Sequence, residues 1–469
     1  MSREIVIDPV TRIEGHSKIT IQLDDTGNVQ DAHFHVTQLR GFEKFVEGRP
    51  FQEMPSLMAR ICGICPVSHL MASSKACDAL MRVNIPRPAV HLRRIMNLAQ
   101  IVQSHALSFF YLSSPDLLLG MDAPPEQRNL FGVAQANPQL ALGGVQMRKF
   151  GQQIIEMLGG KRIHPGWVVP GGVSEPLSSD KRDAILKMIP DVLTIAQNTL
   201  TWYKQVFERY QEEIDSFANF PSLFLALVND EETLEMYDGK LRFIDSEMNL
   251  VTEIAARDYE SVIAEAVEPS SYLKSPYFKP LGYPDGIYRV GPLARLNIVQ
   301  RCGTPLADEE LVEFRKLDRN SSFHFHYARL IEILYSIEKI QQLLNEPDIL
   351  DTRIRAHASP NRHHGIGVSE APRGTLIHHY EINDDGLITR ANLIIATGHN
   401  NLAMNRGVLQ VAQRFITGLQ ITDGMLNRVE AVIRAFDPCL SCSTHAIGQM
   451  PLQIQLLAPD GAVIDEVKR

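Results

Sequence analysis

The chain has 469 residues, enough to bury a large core, and its 44% apolar and 22% charged residues are typical of a folded globular protein. A net charge of −9 without a long basic run argues against nucleic acid as a partner. No run of about 18 apolar residues is present, so we expect no membrane span. The first residues lack the apolar stretch of a secretory signal, and we expect a cytoplasmic protein.

The first forty residues have the alternating pattern of β-strands. Residues 5–10 (IVIDPV) predict a short strand, and residues 18–36 predict a hairpin around Asp-Asp-Thr-Gly-Asn. These elements indicate a small β-sheet near the N-terminus.

The middle of the chain has the apolar spacing of long helices. Four such regions are predicted, over Pro88–Leu112, Asn137–Leu158, Ser178–Phe217 with a break at Pro190, and Ala307–Leu344. Long helices with an apolar stripe favour a bundle core.

The β pattern returns near the C-terminus. Residues 374–397 predict a hairpin around Asn-Asp-Asp-Gly, helices follow over Arg406–Thr417 and Asp423–Phe436, and residues 451–469 predict a last hairpin with a Pro-Asp-Gly turn. The predicted fold class is therefore α+β, with a core of long helices and small β-sheets or hairpins near both termini.

Four of the six cysteines form two Cys-x-x-Cys pairs, Cys62/Cys65 and Cys439/Cys442. Paired thiolates are soft metal ligands, and a disulfide framework is improbable in an intracellular chain of this size. The pairs lie near opposite ends of the chain, so a shared metal would require one intertwined domain. Cys77 and Cys302 stand alone, and we interpret them as buried core residues.

Three interpretations of the pairs are open at this point. A structural zinc site is one; two thioredoxin-like redox pairs are another, although neither pair lies in a βαβ pattern; an iron–sulfur or mixed-metal centre is the third. A chain this large can build its own core, so a metal is expected to serve function rather than folding.

Several further motifs, read together with the cysteines, form a specific combination. They are Arg12-Ile-Glu-Gly-His16, Arg40-Gly-Phe-Glu43, Arg60-Ile-Cys-Gly-Ile-Cys-Pro-Val-Ser-His69, the segment His105–Asp116, His164-Pro with the Pro-Gly-Gly-Val of residues 170–173, Glu370-Ala-Pro-Arg-Gly374, and Asp437-Pro-Cys-Leu-Ser-Cys-Ser-Thr-His445. From about residue 5 to 445 the chain resembles the large, catalytic subunits of nickel–iron hydrogenases. It is most similar to the cytoplasmic, bidirectional NAD(P)-linked (Hox-type) branch.

The resemblance implies a centre of one nickel and one iron, the iron carrying CO and cyanide. Cys62 and Cys439 would be terminal nickel ligands, and Cys65 and Cys442 would bridge the two metals. The reaction would be the reversible heterolytic cleavage of H2. The thiolate of Cys439 would take the proton and Glu14 would relay it, whereas Arg373 would act first through its charge.

Other residues would support this centre. Asp116 and Asp437 would anchor Arg373, His69 would hydrogen-bond a bridging sulfur, and Pro372 and Thr397 would contact a cyanide ligand. Without the motif, Glu14 would instead be a surface acid paired with Arg12. Histidines outside the motifs are expected at the surface, namely His33, His35, His324, His326, His363, His364, His378 and His379.

The resemblance also implies a magnesium ion held by Glu43 and His445. A dedicated endopeptidase would cut between His445 and Ala446 after a nickel-insertion factor has acted. Residues 1–445 would then form the single mature domain, and residues 446–469 a removable extension. The alternative is that the extension is an ordinary final hairpin.

Electrons would have to leave through partner subunits. Only Cys77 and Cys302 remain, too few for an iron–sulfur cluster, and no G-x-G-x-x-G fingerprint follows a strand. The expected partners are an iron–sulfur small subunit, together with a diaphorase module that carries flavin and uses NAD(P). Two other classes stay open: a quinone-site protein related to respiratory complex I, which would lack the cysteines, and a scaffold held by zinc.

Overall fold

The computed structural model describes residues 3–418, 420–445, 453–457 and 463–468. The helices of this part of the chain are α1 Phe42–Phe45, α2 Met54–Met58, α3 Pro66–Met81, α4 Arg87–Ala106, α5 Ser114–Leu119, α6 Leu130–Ala136, α7 Pro138–Gly159, α8 Ser179–Val206, α9 Gln211–Ser216, α10 Pro292–Ile298, α11 Pro305–Phe314, α12 Phe325–Leu344, α13 Ala396–His399, α14 Asn401–Phe415 and α15 Asp423–Phe436. A π-helical segment, Leu107–Ser113, joins α4 to α5. No helix in these residues is long and apolar enough to cross a membrane.

The strands form several small sheets. In chain order they are β1 Arg3–Ile7, β2 Ser17–Leu23, β3 Val29–Val36, β4 Val168–Val169, β5 Gly172–Val173, β6 Leu223–Val228, β7 Lys240–Ile244, β8 Leu250–Ala255, β9 Ile263–Ala266, β10 Ser275–Phe278, β11 Tyr288–Arg289, β12 His364–Ala371, β13 Gly374–Ile382, β14 Ile388–Ile394, β15 Gln453–Leu457 and β16 Val463–Lys468. The main sheets have the orders β1-β2-β3, β11-β6-β7-β8 and β12-β13-β14. All of their neighbouring pairs are antiparallel except β11–β6.

The long helices α4, α7, α8 and α12 pack together as the predicted bundle core. Helices α7 and α8 are capped at their N-termini, since the side chains of Asn137 and Ser178 accept hydrogen bonds from main-chain N–H groups of the first turns. The predicted break at Pro190 is wrong, because α8 continues through it. A proline inside a helix loses one hydrogen bond, and packing along the rest of this 28-residue helix offsets that loss.

The α+β fold class is confirmed, but the restriction of the sheets to the termini is wrong. Strands β6, β7 and β8 form a sheet in the middle of the chain, and the buried β6 (LFLALV) lacks the alternation that would have indicated it. The predicted final hairpin is present as β15–β16, while its Pro-Asp-Gly turn lies outside the described residues.

Helix α3 lies directly on strand β12, and two glycines permit this close approach. A Cβ atom on Gly367 would lie 2.0 Å from the main-chain oxygen of Ala72, and one on Gly365 would lie 2.3 Å from that of Ala76. Because α3 follows immediately after Cys65, this contact fixes one cysteine pair relative to the sheet.

We predict that Gly367→Ala forces α3 away from β12. Overpacking of this kind costs about 1–3 kcal/mol, so the thermal transition of the variant should be lowered by several degrees. The matched control is Gly166→Ala, where a Cβ atom would meet nothing within 4 Å. If Gly367→Ala melted at the same temperature as the parent and the control, the packing role of this glycine would be refuted.

Candidate metal centre

The four paired cysteines come together at one buried point. Cys62 and Cys65 lie in the turn before α3, and Cys439 and Cys442 lie just after α15. The Sγ atoms are 3.4 Å apart for Cys62–Cys439, 3.4 Å for Cys65–Cys442 and 2.7 Å for Cys439–Cys442. All four lie within 4.8 Å of one another, and each residue is at most 5% exposed.

The ionisation of the four thiols is unequal. Hydrogen bonding, first from Cys439 and then from the other two thiols, lowers the pKa of Cys62 well below its ordinary value. Burial raises the pKa values of Cys439 and Cys442 well above theirs. One thiolate can therefore be stabilised by its neighbours, but four thiolates require a compensating positive charge. This set of four soft donors fits nickel and iron, and on chemistry alone it would also fit zinc.

The turn that carries Cys62 and Cys65 is held by two glutamines of α4. The side-chain amides of Gln100 and Gln103 both donate to the main-chain oxygen of Ile64, at 2.8 Å and 2.6 Å. Neither residue was predicted from the sequence. The available signal was two amides spaced i, i+3 among the apolar residues of the segment LAQIVQ, residues 98–103, where an unpaired polar group would be costly.

Four hydrogen bonds, to Thr397 and to Glu14, hold the turn that carries Cys439 and Cys442. The main-chain N–H of Cys439 donates to Oγ1 of Thr397 at 2.9 Å. The carboxylate of Glu14 accepts from the main-chain N–H of Ser441 at 3.1 Å and from its hydroxyl. The main chain of Glu14 also pairs with this turn, because Leu440 N–H donates to its oxygen at 3.2 Å. The interpretation of Glu14 as a surface acid paired with Arg12 is therefore wrong.

Arg373 lies in the turn between β12 and β13, and its guanidinium is buried against the second cysteine motif. It donates to the main-chain oxygen of Asp437 at 2.5 Å, to the Asp437 carboxylate at 3.1 Å and to Oγ of Ser104 at 3.2 Å. Burial disfavours its charge, but the attraction of Asp437 and of the cysteine sulfurs raises its pKa well above the ordinary value. Arg373 therefore remains a cation.

The predicted contact between Asp116 and Arg373 is wrong. Asp116 instead accepts from Arg12 at 2.6 Å, from Arg434 at 3.1 Å and from Asn427 at 3.1 Å. Burial opposes its ionisation, but these two guanidinium groups lower the pKa of Asp116 overall. Asp116 lies at the start of α5, where it pairs with the guanidinium groups of Arg12 and Arg434. It therefore joins the N-terminal segment to α15 and does not anchor Arg373.

A second buried ionic network, which was not predicted from the sequence, supports the turn that carries Arg373. Arg295 donates to both oxygens of Glu332 at 2.6 Å and to Glu370 at 2.7 Å, and all three side chains are fully buried. It also donates to the main-chain oxygens of Ala371 at 3.0 Å and Pro372 at 3.2 Å. Arg295 thereby fixes the backbone immediately before Arg373.

His69 lies one helical turn after Cys65, and burial lowers its pKa to about 4. Its Nδ1 is 3.2 Å from Nε2 of His378, whose Nδ1 is 2.6 Å from the hydroxyl of Tyr380. A buried chain of neutral side chains thus begins near the cysteines. Two contacts stay predictions. One is a hydrogen bond from His69 to a bridging sulfur, and the other is the contact of Pro372 and Thr397 with a cyanide ligand.

The expected surface position of the histidines outside the motifs is wrong for most of them. His35, His324, His326, His378 and His379 are all less than 10% exposed. His33, His363 and His364 are exposed as expected. The buried rings pack within the sheets and the bundle as neutral groups, and burial lowers the pKa of His324 to about 4.

Glu43 and His445, the predicted magnesium ligands, both lie near the end of the second cysteine motif. Nε2 of His445 is buried and has no hydrogen-bond partner among the described residues. Glu43 accepts from Leu393 N–H at 2.9 Å and lies 3.5 Å from Nζ of Lys274, while burial raises its pKa. Ala446, on the other side of the predicted cleavage point, lies outside the described residues.

Comparison with known proteins agrees with this geometry. Residues 40–124 and 226–445 match the nickel-dependent hydrogenase family model, and residues 4–39 match a HoxL-like model. The chain is 44% identical to the beta chain of the NAD-reducing hydrogenase HoxS of Cupriavidus necator, with 100% of both chains covered. It is 43% identical to a chain of the vhu F420-non-reducing hydrogenase of Methanocaldococcus jannaschii, over 87% of this chain and 99% of the relative.

A solved structure gives the same result. The crystal structure of an NAD+-reducing NiFe-hydrogenase in the H2-reduced state is similar with a TM-score of 0.92 and 44% identity, over 94% of this chain and 99% of that one. The family match, the identity to full-length relatives and the convergence of the four cysteines lead to one conclusion. The chain belongs to the nickel-dependent hydrogenase family.

Proposed function

We propose that this chain is the catalytic subunit of an NAD(P)-linked nickel–iron hydrogenase, which cleaves H2 reversibly into protons and electrons. The observation that carries the proposal is the convergence of four buried sulfurs, with Arg373 and Glu14 held against the same cysteine turn. The name of the Cupriavidus necator relative supports NAD as the acceptor.

Nickel, and iron carrying CO and cyanide, would supply the Lewis-acid and redox chemistry between the four thiolates. By their positions in the two motifs, Cys62 and Cys439 would be terminal nickel ligands, and Cys65 and Cys442 would bridge the two metals. The family membership opposes a zinc-held scaffold, and the intact thiols oppose a quinone-site protein.

The proton leaves through this chain's own side chains. Arg373 remains charged, so it serves as a fixed cation that orients the reactants over the sulfurs rather than as the base. Cys439 is then the proton acceptor, since its main chain lies beside that of Glu14. The Glu14 carboxylate is fixed to Ser441, two residues from Cys439, which is a suitable position for the first relay group.

Electron transfer away from the metal centre requires partner subunits. Cys77 and Cys302 are separately buried, and the described part of the chain contains no other group of cysteines that could hold an iron–sulfur cluster. We propose an iron–sulfur small subunit next to the metal centre and a diaphorase module with flavin that reduces NAD(P). A cytoplasmic location remains a prediction that goes with this acceptor.

We further propose that Glu43 and Nε2 of His445 contribute to a magnesium site. The carboxylate offers the oxygen that Mg2+ prefers, the unpartnered Nε2 would add a single nitrogen, and the waters that Mg2+ usually retains would complete its shell. Nδ1 of His445 accepts a hydrogen bond from the main-chain N–H of Phe42 at 3.4 Å. This hydrogen bond is long and therefore weak, so it can break when Nε2 binds an ion.

Residues 1–445 are proposed to be the mature domain. The main chains of Arg40 and Gly41 donate to the oxygen of Thr444 at 2.8 Å and 3.2 Å, so the N-terminal region contacts the chain next to His445. A nickel-insertion factor and an endopeptidase would act before residues 446–469 are removed.

Mass spectrometry of the purified active complex tests this processing. We expect the catalytic chain to end at His445, with residues 446–469 absent. An active chain that ends at Arg469 would contradict the proposed maturation without affecting the assignment of the metal centre.

The relay is tested by Glu14→Gln, which keeps the shape of the side chain but removes its ability to carry a proton. Loss of a positioned proton-transfer group costs about 10²–10⁴-fold, so exchange between D2 and water protons should fall by that order while nickel and iron contents stay unchanged. The control is Glu4→Gln, because Glu4 is an exposed acid of the N-terminal sheet. Normal exchange in Glu14→Gln would exclude the relay.

A further inference from the structure

A second group of potential metal ligands lies on the sheet β12-β13-β14, at the end opposite to Arg373. It consists of His364 on β12 and of His379 and Glu381 on β13. Arg373 lies at the other end of β13, six residues from His379, which corresponds to about 20 Å along a strand. This group is therefore separate from the four cysteines.

The strand register places the three side chains on one face of the sheet. His364 is directly opposite Glu381, and His379 is two residues before Glu381, so all three project in the same direction. One ligand atom from each lies within 4.8 Å of the other two, and the two imidazole rings are 5.9 Å apart. Two rigid paired strands hold this arrangement.

The surroundings of the His379 ring indicate that this residue can bind a metal ion. The residue is only 6% exposed, and its Nε2 is buried without a hydrogen-bond partner among the described residues. Its Nδ1 lies 3.0 Å from the hydroxyl of Tyr259 and 3.7 Å from the carboxylate of Glu260. A neighbouring carboxylate favours the proton on Nδ1, which leaves the lone pair on the unpartnered Nε2 available to a metal ion.

The carboxylate of Glu381 is also oriented for metal binding. One of its oxygens accepts from Arg390 at 2.8 Å, and no hydrogen bond involves the other in the described part of the chain. The carboxylate can therefore bind an ion through the second oxygen while Arg390 fixes its orientation. His379 and Glu381 would then each have an outer partner, as metal ligands usually do.

We propose that His364, His379 and Glu381 form a second metal site, for a divalent first-row transition ion such as Zn2+. Two imidazoles and one carboxylate suit zinc, nickel or iron, and they do not suit Mg2+, which prefers oxygen ligands. Three protein ligands leave further positions for water, and the exposed His364 provides access from solvent.

A comparable group, His91 with Glu346 and Asp348, is less suitable. It offers one imidazole instead of two, and both of its carboxylates share the guanidinium of Arg87, which lies 2.8 Å from Glu346 and 3.7 Å from Asp348. This group provides an internal comparison for the experiment.

The test is a Zn2+ titration of the untagged complex with resident metals in place, followed by elemental analysis. We expect one additional bound Zn2+ that Mg2+ does not displace. Its affinity should weaken by about tenfold or more in His364→Ala and in His379→Gln. The matched control His363→Ala removes an exposed histidine just before β12 and should leave the affinity unchanged.

His364→Ala keeps the test interpretable if the buried His379 variant fails to fold, because His364 is exposed. Equal Zn2+ binding by the parent and His364→Ala would overturn the proposal. So would loss of the additional Zn2+ in His91→Ala alone, which would assign that ion to the other group.

Discussion

The fold of this chain is constrained by the need to bring four cysteine sulfurs from opposite ends of the sequence to one buried point. Burial opposes the ionisation of Cys439 and Cys442, so thiolates persist there only when cations compensate their charge. The protein supplies one such cation, Arg373, and its raised pKa keeps it charged next to the sulfurs. The remaining charge has to come from bound metal ions, which fits the membership of the nickel-dependent hydrogenase family.

Two different kinds of packing fix the two cysteine turns. The first turn is positioned by the close packing of helix α3 on the glycines of β12, together with hydrogen bonds from Gln100 and Gln103 of α4 to the oxygen of Ile64. The second turn is positioned by polar contacts from distant parts of the chain, namely Thr397 and Glu14. Hydrogen bonds to turns of this kind leave little freedom for the sulfur positions, and such rigidity benefits a site that must hold two metals.

The sequence could predict the residues of the site better than their connections. The cysteines, Glu14, Arg373 and Asp437 were found because they belong to local motifs, and they do come together. Asp116 was given the wrong partner, because the choice between Arg373 and the pair Arg12 and Arg434 depends on tertiary distances that no motif contains. Arg295 and Glu332 were missed because buried ion pairs have no periodic signature along the chain.

For the fold, too, local patterns were predictable and tertiary contacts were not. The long helices and the terminal hairpins were predictable from apolar spacing and turn residues, whereas the central strand β6 is apolar on both faces and therefore has no period-2 pattern. The buried histidines of β13 were also misjudged. Adjacent polar residues suggested the surface, yet the strand is covered on both sides, and His378 and His379 find partners in Tyr380 and Tyr259.

The four sulfurs are proposed to hold nickel and iron together. Anomalous diffraction from crystals of the mature complex, recorded at the nickel, iron and zinc absorption edges, would identify the metals directly. We expect one nickel and one iron at similar occupancy among the four Sγ atoms, with nickel nearer to Cys62 and Cys439. A single zinc ion at this position, without nickel, would contradict it.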